Sequence, residues 1–74
     1  MSDFIRLDVA DNVVTVTRPT ETGHAIETAT TLSLVPRGHK VATAPIRKGE
    51  AVRKYNQIIG YASEDIPPGA HVHT

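Results

Sequence analysis

Val35-Pro36-Arg37-Gly38-His39-Lys40-Val41 is the stretch that decides the fold, because the chain repeats its pattern twice more. Ile46-Arg47-Lys48-Gly49-Glu50-Ala51-Val52 and Ile66-Pro67-Pro68-Gly69-Ala70-His71-Val72 share it: a β-branched residue, two turn formers, a glycine, two residues, then valine. The glycine stands three positions after the first apolar residue, where a type I turn places it. Proline at the second position of two copies presets the backbone angle that such a turn uses. Each phrase therefore reads as strand end, tight turn, strand start. A degenerate fourth copy lies around Pro19 to Ile26, where Gly23 is again followed three residues later by an apolar side chain. The spacing is irregular, which excludes a solenoid of fixed period. The pattern predicts a small β-fold that reuses one corner.

Between the second and third phrases, Ala51–Tyr55 and Ile58–Ala62 read as short strands, and Gly60 marks a bulge or a close backbone approach. Toward the N-terminus, Ile5, Leu7 and Val9 alternate with Arg6 and Asp8, the period of a half-buried strand. Asp11-Asn12 marks a turn, and Val14 to Thr17 resumes the alternation. Arg18 to Gly23 reads as a loop. The threonine-rich stretch from His24 to Val35 favours strand, since branched side chains lose rotamer freedom in a helix, and Leu32 and Leu34 are its expected inward face. No window carries sustained helical periodicity. The expected fold class is all-β, as a single domain over residues 1–74.

At 74 residues the chain is near the lower limit for folding without staples, and it has no cysteine, so neither a disulfide framework nor a thiolate metal site is available. A core this small can be completed by another domain or subunit. No basic-then-apolar leader and no apolar run of bilayer length is present, which predicts a cytoplasmic protein away from membranes. Acidic and basic residues balance, and Phe4, Tyr55 and Tyr61 are the only aromatic residues of these types. Neither a guiding field nor a base-stacking platform is present, which argues against nucleic-acid binding.

The repeat also makes a prediction about facing. If the valine three after each glycine points inward, the residues two and four after it point outward. Those are Lys40 and Ala42, Ala51 and Arg53, and His71 and His73. Lys40 and Arg53, with Lys54 beside them, are candidates to bind a carboxylate or phosphate, against the plainer reading of solvated edge-strand charges. His71 and His73 would project from one face of a strand, as a pair of metal ligands must, against the plainer reading of solvated histidines near a terminus. His24 and His39 each follow a glycine and sit at turn rims. Tyr55 and Tyr61 read as packing residues. No serine–histidine–acid order, phosphate loop or carboxylate pair stands out, so no catalytic residue is assigned.

Set in line, the phrases resemble a known family. Gly38-His39-Lys40-Val41-Ala42, Ile46-Arg47-Lys48-Gly49-Glu50, Val52, Lys54-Tyr55, Ile59-Gly60, Ala62, Asp65-Ile66, Gly69 and His71-Val72-His73 follow its pattern, as does Asp11-Asn12-Val13. The pattern resembles the N-terminal or small-subunit domain of altronate dehydratases (altronate hydrolases) and galactarate dehydratases, and is similar to the small subunit of sulfolactate sulfo-lyase. The resemblance implies a SAF-type β-clip fold and a part in sugar-acid dehydration, a hydro-lyase reaction. It also implies a larger catalytic domain or subunit and a divalent metal, usually iron. Homo-oligomerisation is compatible with it. In this reading His71 and His73 are metal ligands, Lys40 and Arg53 contact the sugar acid, and the chain alone is inactive. A non-catalytic carbohydrate-binding or assembly module, or the small subunit of a sulfolactate sulfo-lyase, is the alternative. Two departures stand out: Asn56-Gln57 replace the family's Gly-Glu after Lys54-Tyr55, and the family continues past the His-Val-His run with another histidine and an asparagine where this chain has Thr74.

Overall fold

Short valine-rich runs, each stopped by a glycine or a polar turn, favour strands over helices. In the computed structural model, which describes residues 3–72, they form β1 (Phe4–Ile5), β2 (Val13–Val16), β3 (Ala25–Ile26), β4 (Ala29–Thr30), β5 (Lys40–Ala42), β6 (Ala51–Lys54), β7 (Gln57–Tyr61) and β8 (His71–Val72). No helix occurs among the described residues, so the domain is all-β as expected.

An antiparallel sheet in the order β1-β2-β5-β8 forms the centre, and β3-β4 and β6-β7 are two separate hairpins. The central sheet buries both faces. On one, Val13 and Ala42 join Ile46, Val52, Ala62 and Val72, with Ile66 packed against them. On the other, Val14, Val16 and Val41 join Ile26 and Val35, with Phe4 against them. Burial on both sides explains why β2 reads as a nearly continuous apolar run rather than a strict alternation.

Four corners lie around these clusters. Their first residues pair reciprocally, Thr20 with Val35 and Ile46 with Ile66. Gly23, Gly38, Gly49 and Gly69 all have φ between 83° and 88°. The residues three further on, Ile26, Val41, Val52 and Val72, are all buried. Each corner is held by the same two-bond clamp. The glycine N–H donates to the carbonyl of one buried residue, and that residue's N–H donates to the carbonyl after the glycine. Thr31, Val16, Ala62 and Ala42 serve the four corners in chain order. The degenerate copy at Gly23 is therefore a full member, although its turn is closed differently. The Thr31 hydroxyl accepts from the His24 N–H at 2.8 Å and donates to the Glu21 carbonyl at 2.6 Å.

Several expectations are corrected. The turns start one residue later than a type I reading places them. His39, Glu50 and Ala70 donate to the carbonyls of Pro36, Arg47 and Pro67, which sets each glycine at the third position with the positive φ of a type II turn. Ala42 is buried rather than outward, because both faces of β5 are covered. Phe4, not Ile5, faces the core: β1 has only two residues, while Ile5, Leu7 and Val9 are exposed. Leu32 and Leu34 are exposed, and Thr31 and Val35 take the inward positions. The stretch read as one strand from His24 to Val35 is instead a hairpin turning at Glu27 and Thr28. Tyr55 and Tyr61 are exposed rather than packed. The expected irregularity at Gly60 is present. Val52 pairs with Gly60 but Arg53 with Ile58, so Ile59 is an extra residue on β7.

Candidate functional site

Lys40 and His71, both singled out from the repeat, do not share a face. Lys40 pairs with Thr15 on β2 and with Val72 on β8, whereas His71 pairs with Val41. Side chains alternate along each strand. Lys40 therefore lies on the side of Val13, Ala42 and Val72, and His71 on the side of Val41. The register places the second residue after one corner glycine opposite the third residue after another, which puts the two candidates on opposite faces. Lys40 is half-buried and Arg53 exposed, and neither side chain makes a hydrogen bond or ion pair among the described residues. Arg53 does point away from the cluster that Val52 enters, as predicted. His73 lies outside the described residues.

The structure brings His71 to a different histidine. Alternation on β5 turns His39 toward the side of Val41, and the β5–β8 register brings His71 to the same side. Nδ1 of His39 and Nε2 of His71 are 2.9 Å apart, with ring centroids 5.0 Å apart and planes inclined by 45°. One ring must donate and the other accept, so at least one is neutral in this arrangement. Both backbones are fixed. The His39 N–H donates to Pro36 and its carbonyl accepts from Val16, while His71 is paired within the sheet. His71 also lines a groove of about 420 Å³ with Ile59, Tyr61, Glu64, Asp65 and Pro67. His24 is engaged elsewhere, with Nε2 2.9 Å from Asp3, which also pairs with Arg18. No group of three or more histidine, aspartate or glutamate side chains suited to a metal occurs among the described residues.

Two polar anchors were not singled out from the sequence. Arg6 donates to both carboxylate oxygens of Glu27 at 2.7 Å, to the carbonyls of Asp8 and Asp11, and to the Thr43 hydroxyl. The hydrogen bond to Arg6 holds the Glu27 carboxyl below its ordinary range, and the same bond raises the Arg6 guanidinium. Asp11 is buried, and its two carboxylate oxygens accept from the N–H groups of Tyr55 and Asn56 at 2.7 Å each. Those two residues form the β6–β7 turn with φ of 56° and 55°, so the carboxylate pins a turn that is unfavourable for tyrosine. Asn12 acts as a strand neighbour to β6, donating to the Ala51 carbonyl and accepting from the Arg53 N–H. The signal in the sequence was the adjacent pair of short polar side chains, which readily bond to backbone. Both residues are structural.

Residues 2–74 match the altronate/galactarate dehydratase SAF domain. The chain is 35% identical over 78 aligned positions to an altronate dehydratase of Bacillus subtilis, an alignment that covers 99% of this chain and 16% of that enzyme. It is 40% identical over 74 positions to an altronate dehydratase of Escherichia coli, covering 95% of this chain and 15% of the enzyme. A third relative, the (2R)-sulfolactate sulfo-lyase subunit alpha of Paracoccus pantotrophus, is 45% identical over 40 positions, which are 54% of this chain and 60% of that subunit. The chain thus spans about a sixth of the length of the dehydratases it matches.

Proposed function

The chain belongs to the altronate/galactarate dehydratase SAF domain family, and on that premise we propose that it is the small component of a sugar-acid hydro-lyase. The observation that carries this reading is the match over residues 2–74 together with the two altronate dehydratases. Dehydration of such an acid removes a proton from the carbon beside the carboxylate and expels a hydroxyl from the next carbon as water. The buried carboxylate of Asp11 is committed to the Tyr55 and Asn56 N–H groups, so the base for that proton is assigned to the larger part. Lys40 and Arg53 lack side-chain ion partners among the described residues and are the cations available to a substrate carboxylate. Lys40 would do so from the face of the central sheet opposite His71. Imidazole donors at His71 and His73, the pair singled out from the sequence, suit a divalent transition ion. When bound, such an ion would polarise substrate oxygens as a Lewis acid.

The larger part would sit against β7. Ile58, Ile59 and Tyr61 are exposed there, on a strand that among the described residues pairs with β6 alone. Apolar side chains clustered on a free edge are characteristic of a covered surface, and the dehydratase relatives are some six times longer than this chain. A second reading, supported by the sulfo-lyase subunit alpha match, makes the chain a small subunit acting on a sulfonate with a separate large subunit.

The test supplies the chain, alone and together with either the large part of an altronate dehydratase or the large subunit of a sulfolactate sulfo-lyase, with altronate, galactarate or sulfolactate and ferrous iron. Dehydration of a sugar acid only in the combined sample supports the first reading. Sulfite release from sulfolactate supports the second. Activity of the chain alone would overturn the assignment as an incomplete component.

A further inference from the structure

We infer that His39 and His71 together form a chelating site for a divalent transition-metal ion, with His39 contributing Nδ1 and His71 contributing Nε2. The inference shares only His71 with the proposed function above. A chelate needs neither substrate nor the larger part, so its failure would leave the dehydratase reading standing, and the converse also holds.

The geometry carries it. The two nitrogens already face one another at 2.9 Å. Two nitrogens bound to one tetrahedral ion at about 2.0–2.1 Å lie roughly 3.3 Å apart. A small ring rotation and an opening of a few tenths of an ångström therefore convert the hydrogen-bonded pair into a ligand pair. The proton that the rings share in a neutral pair moves to the other nitrogen of the donating ring, so both facing lone pairs become available and no net charge is lost.

The two backbones are held independently of the ion. One lies in the clamp of the Gly38 corner and the other in the β5–β8 ladder. Little ordering entropy remains to oppose binding, as preorganisation requires. The pair is at the surface, where an ion can reach it. Two imidazoles leave positions for water or for a carboxylate, and nitrogen donors select zinc, cobalt, nickel or iron over magnesium and calcium.

The probe is Zn²⁺ in calorimetric titration of the full chain, with histidine ring resonances followed by NMR, and Co²⁺ as a paramagnetic reporter. The expected result is one ion per chain, with the His39 and His71 rings shifting together. His39→Gln and His71→Gln should each weaken binding by at least about tenfold, because a chelate becomes a single ligand. His24→Gln should leave binding unchanged. If either ligand variant is misfolded by its amide spectrum, the paramagnetic shifts in the wild-type chain decide, and they should be largest at both rings. Absence of saturable binding would overturn the site. So would binding that His39→Gln leaves intact, or paramagnetic shifts centred on His24.

Discussion

Replacing Gly69 by alanine should cost far more than the same change at Gly49, although the two glycines occupy equivalent corners. Both have a positive φ, 88° and 87°, and placing a side chain there costs roughly 1–2 kcal/mol. Around Gly49 an added Cβ meets nothing within 4 Å, so that strain is the whole effect. At Gly69 it would overlap the carbonyl oxygen of Thr30 and lie 2.7 Å from the carbonyl carbon. These are backbone atoms and cannot swing aside. Relief requires moving the corner away from β4, which strains the bonds from Gly69 N–H to the Ala42 carbonyl at 2.7 Å and from Leu32 N–H to the Gly69 carbonyl at 3.0 Å. Overpacking of about 1–3 kcal/mol and about 1 kcal/mol for each weakened bond bring the total to about 4–7 kcal/mol. Domains have only about 0.05–0.15 kcal/mol of stability per residue, so Gly69→Ala should be largely unfolded while Gly49→Ala stays folded. Urea unfolding followed by circular dichroism measures both. For Gly49→Ala the melting temperature should drop by roughly 5–15 °C, at about 4–8 °C per kcal/mol for a chain of this size. Two variants of equal stability would refute the close approach of Gly69 to Thr30.

Asp11→Ala leaves the Tyr55 and Asn56 N–H groups without their carboxylate and should cost about 2–3 kcal/mol, seen as a lower urea midpoint and faster amide exchange at those two residues. Unchanged exchange there would contradict the anchoring role. The Glu27 carboxyl is held below its ordinary value of 4.5, so the stabilisation it draws from Arg6 is fully present above that pH and is lost as pH falls below it through the lowered folded value. Glu27→Gln should therefore lower stability at neutral pH and flatten the acid limb of a pH–stability curve; a parallel shift of the whole curve would argue against this. Leu32→Ser and Leu34→Ser should each stay within about 0.5 kcal/mol of the parent by thermal melting, because both side chains are exposed. A loss of several degrees would restore them to the core.

The four corners were legible because only glycine takes their φ without strain, and the buried residue three positions on recurs in every copy. The turn register was misplaced by one residue because Pro36 and Pro67 suggest an earlier start, whereas Pro68 is the proline that occupies the second turn position. The side choice at Phe4 and Ile5 could not be read from two residues of strand, and Leu32 and Leu34 lie in a segment without strand pairing. The separation of Lys40 from His71, and the meeting of His39 with His71, depend on how β5 and β8 align. That alignment is a long-range fact, and local pattern holds no trace of it. Arg6 was hidden for the same reason, since Glu27 and Thr43 reach it from distant turns.

The clamp that Ala42 provides to the Gly69 corner also bears on how the chain folds. Both sheet partners of β5 lie roughly thirty residues from it, so ordering the sheet requires closing two long loops. Until residues 66–72 arrive, β5 has an open edge and the cluster around Val13, Ile46 and Val52 lacks Ile66 and Val72. The β6–β7 ribbon can form early, but it cannot by itself supply the missing side of that cluster. Non-local pairing of this kind favours slow, single-step folding over assembly from stable pieces. The species most open to misassembly is one in which β2 and β5 have paired while β8 has not, because its bare β5 edge offers both backbone donors and buried-type side chains to another chain.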